Sequence, residues 1–166
     1  MAILAAVGHA QAALTFHGVP LSCVDRASRQ YNVPAQDLFA LMENEGAAPG
    51  VAVHDNNGTT DLGPMQVNTC HLPFLSHYGF SYDTLKNDAC ANVLAGAWVY
   101  ARCLEQMGGN QVLAAACYNA GPNDLVAAYQ DGYVQRFVNH LGAGVTLGQL
   151  QGRPHKPGLE LVVEDQ

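Results

Sequence analysis

The sequence predicts a mainly α-helical single domain broken once by a long loop or minor hairpin. Three observations carry that expectation. Apolar residues recur at helical spacing through most of residues 21–141. Cap and breaker residues punctuate those segments. Residues 46–68 gather Gly46, Pro49, Gly50, Asn56, Asn57, Gly58, Gly63 and Pro64 into one interruption, and connections of that length in compact domains are often functional. With 166 residues, 49% hydrophobic and 13% charged, the chain has room for one substantial core.

The first twelve residues, MAILAAVGHAQA, are apolar and small, and Ala10-Gln11-Ala12 resembles the small-x-small pattern ahead of a signal-peptidase cut. The basic n-region is missing. Residues 1–12 are therefore read as a shortened export signal cut after Ala12, against the alternative of an ordinary apolar helix. Ser22 is expected to cap a first helix carrying Val24, Ala27 and Tyr31, and Pro34 to open a second over Ala35–Glu45. After the interruption, a short helix from Leu72 to Tyr78 should stop at Gly79. Asp88 should cap the longest helix, Ala89–Met107, whose Val93, Ala97 and Leu104 share a stripe before Gly108-Gly109. Gln111–Asn119 is almost wholly apolar and reads as a central buried helix, broken at Ala120-Gly121-Pro122. A final helix holds Tyr133, Phe137, Val138 and Leu141. Residues 142–166, with their Gly/Pro-rich run from Gly152 to Gly158, are expected to form a flexible tail. No run approaches the length of a transmembrane helix.

Glu45 is the candidate catalytic residue. Relative to Leu38 on a helical wheel it falls at about 340°, with Leu41 and Met42 beside it, whereas Glu43 falls at about 140° on the face expected to be solvated. A carboxylate held against apolar side chains loses hydration, which disfavours its charged form and makes it a proton donor near neutral pH. The alternative is that Glu45 merely ends the helix before Gly46 and points to water.

The net charge of -7 argues against a nucleic-acid binder tracking phosphates. Five cysteines (Cys23, Cys70, Cys90, Cys103, Cys117) without a paired C-x-x-C favour at least one disulfide over a metal, and the odd count leaves one thiol over. Cys70, His71 and His77 lack the second cluster that a zinc site needs. No metal and no cofactor are expected.

Three blocks resemble the motifs of the lytic transglycosylases of the soluble-lytic-transglycosylase/goose-lysozyme group. They are Met42-Glu43-Asn44-Glu45-Gly46, the stretch from Asn57 to Thr69 containing Gly63-Pro64-Met65-Gln66, and Ala116-Cys117-Tyr118-Asn119-Ala120-Gly121. The resemblance covers about residues 21–141 and is greatest to small specialised members attached to type IV secretion, conjugation and pilus systems. Two departures stand out. Many members have Ser where this chain has Gly46, and Leu where it has Pro64.

The resemblance implies a lysozyme-like fold, a periplasmic or exported enzyme, peptidoglycan as partner, and components of a secretion, conjugation or pilus apparatus as further partners. It implies cleavage of the MurNAc–GlcNAc β-1,4 bond with formation of 1,6-anhydroMurNAc, Glu45 being the single acid. It makes Tyr118 the tyrosine that contacts the catalytic carboxylate, Gln66 and Asn68 sugar-contacting amides, and Asn119 a substrate contact or a helix-end cap. Relatives commonly carry one cysteine before the first helix and another at the start of the long one, which implies Cys23 with Cys90; Cys103 with Cys117 is a second pairing.

Other readings stay open on the sequence. Asp61 or Asp55 could position a water in a hydrolytic muramidase, although Asp at position 61 also suits a turn before Gly63. A non-catalytic peptidoglycan-binding scaffold would keep the fold without turnover. A cysteine peptidase using Cys70 or Cys117 lacks a recognisable nucleophile setting.

Overall fold

The longest helix, Ala89–Gln106, packs against the first helix of the chain and against the helices on either side of it in sequence. The structure, a computed structural model, describes residues 13–144 and 151–152. The expected export segment 1–12 lies outside the described residues, as does most of the tail.

In chain order, a short hairpin, β1 (Leu14–Phe16) and β2 (Val19–Pro20), leads into α1 (Leu21–Tyr31) and α2 (Ala35–Glu45). The interruption forms a three-stranded antiparallel sheet of β3 (Ala52–His54), β4 (Thr60–Leu62) and β5 (Val67–Asn68) in the order β3-β4-β5. The hairpin expectation is thus met. Turns of 3-10 helix at Thr69–His71 and Ser76–Tyr78 flank α3 (Leu72–Leu75), and α4 (Tyr82–Asn87) precedes α5 (Ala89–Gln106). Helices α6 (Gln111–Ala120), α7 (Leu125–Gln130) and α8 (Tyr133–Ala143) complete the helical body, and β6 (Gln151–Gly152) pairs antiparallel with β1.

Local chemistry sets the boundaries. Asp88 accepts hydrogen bonds from the backbone N–H groups of Cys90 and Ala91 at 2.9 and 3.0 Å, the expected cap of α5. Asn110 does the same for α6 through Val112 and Leu113. Ser22 does not cap α1: the helix starts two residues earlier than such a cap implies, directly after Pro20, whose fixed φ of -58° already directs the chain into the first turn. Helices α4 and α7 escaped sequence reading because six residues span too few turns to show a periodicity.

The core gathers side chains from α1, α2, α5, α6 and α8, with Leu38, Leu41, Met42, Val93, Tyr100 and Phe137 fully buried. Two disulfides tie it. Cys23–Cys90 joins α1 to the start of α5, and Cys103–Cys117 joins α5 to α6. Closing 67- and 14-residue separations limits the unfolded chain by about 4 and about 3 kcal/mol in the chain-entropy account. Cys70 is the free, exposed thiol.

Candidate active site

Helix α2 delivers Glu45 as its last residue. Gly46 follows in the left-handed conformation (φ 61°) and donates its N–H to the Met42 carbonyl at 3.0 Å, closing the helix. A Cβ there would meet nothing nearer than the Glu43 carbonyl oxygen at 4.0 Å, so the backbone conformation, not space, favours glycine.

Glu45 continues the buried face of Leu38, Leu41 and Met42 and emerges on the wall of a cleft of about 690 Å³. Its Oε1 accepts a hydrogen bond from the Tyr133 hydroxyl at 2.5 Å. Burial pushes its carboxyl up to about 7; the Tyr133 bond opposes that shift, the negative Asp61 adds to it, and the Arg136 guanidinium offsets part of it. Glu43 does face away from Glu45's side of the helix, but it is not the free solvated carboxylate expected. His17 lies 2.9 Å from its Oε2, and both side chains are only partly exposed.

The opposite floor is a clamped loop. The amide of Asn92, fully buried on α5, donates to the carbonyls of Leu62 and Leu85 at 2.6 and 2.8 Å and accepts from the Met65 N–H at 2.8 Å. Gly63 makes this possible. At φ 65°, any Cβ would fall 2.5 Å from the Asn92 amide nitrogen and 2.7 Å from the Leu85 carbonyl oxygen. Gly96 gives Met65 its seat in the same way, since a Cβ there would stand 2.6 Å from the Met65 sulfur. Met65 is completely buried, and this packing holds Gln66 at the cleft with a left-handed φ of 46°.

The sequence-chosen residues Gln66, Asn68, Tyr118 and Asn119 all line the cleft with Glu45. Their bonds differ from the expectation. Tyr118 does not bond Glu45: its hydroxyl donates to the Met65 carbonyl at 2.6 Å, so it completes the clamp on the loop. Tyr133 makes the carboxylate contact instead. Its fully buried ring reads from periodicity as core, but a buried tyrosine needs a partner for its hydroxyl, and that demand was the available signal. Burial and Glu45 together raise Tyr133 far above the usual phenol range, so it remains a proton donor.

Asn68 is committed to the sheet. Its Nδ2 lies 3.0, 2.9 and 2.8 Å from Asp55 Oδ2, Thr59 Oγ1 and Asp61 Oδ1, and its Oδ1 accepts from the Cys70 N–H at 2.9 Å. Asp61 therefore pairs across β4–β5 with Asn68, its register partner, and does not close the turn before Gly63. Burial raises its carboxyl, with Asn68 opposing. Gln66 lines the cleft and donates Nε2 to the Gly63 carbonyl at 2.8 Å. Asn119 is exposed on the cleft wall. Trp98 and Arg102 on α5, neither singled out from the sequence, continue the wall together with His71 from the turn before α3, a residue weighed there only as a metal ligand.

Known proteins share this arrangement of chain. Residues 22–136 match the family profile described as "Transglycosylase SLT domain". Over 100 residues the chain is 34% identical to invasion protein IagB of Salmonella typhimurium, an alignment covering 60% of the chain and 62% of that protein. It is 35% identical to protein IpgF of Shigella flexneri over 100 residues, covering 60% of the chain and 65% of that protein. The matched region is thus less than two thirds of either relative. In three dimensions the fold is similar to the X-ray structure of an inactive mutant of the lytic transglycosylase Slt from Pseudomonas aeruginosa, with a TM-score of 0.59 and 21% identity over 73% of this chain and 23% of that one.

Proposed function

Because the chain belongs to the transglycosylase SLT domain family, we propose that it is a peptidoglycan lytic transglycosylase in which Glu45 is the single catalytic acid. The observation that carries this reading is the state of Glu45: a cleft-wall carboxyl raised to about 7 by burial, with one oxygen held by Tyr133. At neutral pH such a group is divided between acid and carboxylate, as a residue that must both give and take a proton requires.

Glu45 gives its proton to the glycosidic oxygen leaving the MurNAc anomeric carbon as that C–O bond breaks. The muramoyl C6 hydroxyl then bonds to the anomeric carbon, and its proton passes to the Glu45 carboxylate. The products are a free GlcNAc 4-hydroxyl and a 1,6-anhydroMurNAc end; water is not consumed, and Glu45 returns to its starting state. The nucleophile is tethered to the reacting sugar, so proximity does what an activated water does elsewhere. Tyr133 holds Oε1, which leaves Oε2 to carry the travelling proton.

A hydrolytic muramidase is the second reading, and one observation favours it: Asp61 shares the cleft and acts electrostatically on Glu45. Against it, the hydrogen bond that Asp61 Oδ1 accepts from Asn68 favours the anion and makes it a weaker base toward water. The test is mass spectrometry of muropeptides released from purified peptidoglycan, with Glu45→Gln in parallel. Anhydro ends from the unsubstituted protein alone support the transglycosylase; reducing ends would make it a hydrolase and turn attention to Asp61; no release from either would favour a scaffold.

Two disulfides fit an oxidising compartment, which supports action in the periplasm or at the cell envelope. The likeness to an invasion protein supports a task in local wall remodelling during assembly of a secretion or pilus apparatus.

A further inference from the structure

The cleft is negative around Glu45, where Asp55 and Asp61 also line it. Along α5 its character changes. His71, Trp98 and Arg102 form the wall there, and Arg102 is the single Lys or Arg among the described residues lining the cleft. The charges acting on Glu45 are those of Asp61 and Arg136, whereas Arg102 acts on His71, which places it along another part of the cleft.

Arg102 is held in place without being neutralised. Its guanidinium carbon lies 5.5 Å from the centre of the Trp98 ring, one turn earlier on the same helix. Among the described residues, no carboxylate lies within ion-pair distance of it. Phe74 stacks on Trp98 at 4.7 Å and 9°, and His71 meets the same ring edge-on at 6.1 Å. Tyr78, 5.1 Å from Phe74, carries the aromatic strip out to the surface, where the two are 68% and 43% exposed. An exposed arginine laid on an aromatic ring keeps its planar fork of donors pre-organised for a carboxylate.

We propose that Arg102, seated on Trp98, is a substrate subsite that binds a carboxylate of the peptide stem carried by the glycan strand. The inference rests on the reading of the substrate as peptidoglycan. Glycan bearing acidic stems brings negative charge into a cleft whose carboxylates repel it, and Arg102 is where that charge finds an opposite partner. The Phe74–Tyr78 strip beside it offers apolar faces to the stem's aliphatic parts. Arg102 is thereby a specificity determinant that distinguishes stem-bearing from stripped glycan.

The experiment compares wild type, Arg102→Ala and Arg102→Lys on intact peptidoglycan and on the same material stripped of its stems by an amidase, with thermal melts to establish folding. Calorimetric titration with a soluble disaccharide tetrapeptide, and with the disaccharide alone, runs beside it. The expected result is a loss of about five- to tenfold in kcat/KM and affinity for the stem-bearing ligands in Arg102→Ala, a smaller loss in Arg102→Lys, and no change on the stripped ones. Equal losses on both kinds of ligand, or none on either, would overturn the proposal. If wild type cleaves neither substrate, the transglycosylase reading fails, and the titrations alone decide the subsite.

Discussion

Helix α2 carries a buried carboxylate near its start and a half-buried one at its end, and the two have opposite fates. Asp37, 1% exposed in the first turn, has both oxygens satisfied: Tyr100 donates to Oδ2 at 2.8 Å and Gln111 to Oδ1 at 3.1 Å. Glu45, in the last turn, has a tyrosine on Oε1 and the cleft beside the rest of its carboxyl. Burial raises both groups. The difference lies in what opposes it. Asp37 has two donors and the positive end of the helix dipole, which favour its anion; Glu45 has one donor and the Arg136 guanidinium, set against the Asp61 charge and the negative end of the helix. One helix therefore makes a structural tie and a proton donor from the same kind of group, by the number of donors, the neighbouring charges and the choice of end.

The largest effect should come from removing the proton donor. Glu45→Gln keeps the shape and the acceptor for Tyr133 but cannot give a proton, and muropeptide release should fall by about a thousandfold or more, a general acid's contribution. Asp37→Ala should do the reverse. It leaves the Tyr100 hydroxyl and the Gln111 amide without their buried partner, and should cost about 3 kcal/mol in denaturant unfolding while activity per folded molecule persists. An Asp37→Ala protein as stable as wild type would dissolve the distinction between the two ends.

Stability against pH sharpens the comparison further. The Glu45 carboxyl is raised from its ordinary value of 4.5 to about 7 on folding. The folded state then holds the proton more tightly than the unfolded one, so stability falls as pH rises from about 4.5 to about 7 and is level above it. Glu45→Gln removes that slope. At pH 8 it should be more stable than wild type by on the order of 3 kcal/mol, and near pH 4 almost equal to it.

Much of this was legible in the sequence because it follows from local chemistry. The Asp88 cap, the apolar face of α2 and the place of Glu45 on it are set by spacing within single helices. The three motif blocks brought Gln66, Asn68, Tyr118 and Asn119 to one cleft. What could not be read was partner choice between distant elements. Which tyrosine reaches Glu45 depends on how α8 and α6 cross α2, and periodicity along either helix contains nothing about that crossing. Asn68 was read as a sugar contact, but its amide is spent on Asp55, Thr59 and Asp61, a network created only when β4 and β5 pair. Strands β1 and β2, of three and two residues, are too short to leave a pattern.

The two cleft tyrosines give the finest test. The Tyr133 bond lowers the Glu45 carboxyl against the burial that raises it. Tyr133→Phe removes that opposition, so the acid should hold its proton to higher pH. The falling alkaline limb of kcat/KM should move upward, while the rate at the optimum drops by about tenfold as the carboxyl loses its fixed orientation. Tyr118→Phe leaves Glu45's own bond intact and deprives only the Met65 carbonyl of its donor. Its limb should stay where the wild-type limb lies, and its cost should be about 1 kcal/mol of stability together with a raised KM, since Met65 positions Gln66. If the limb moves in Tyr118→Phe and not in Tyr133→Phe, the roles of the two hydroxyls are exchanged during turnover, and the clamp on Met65 must open for the reaction.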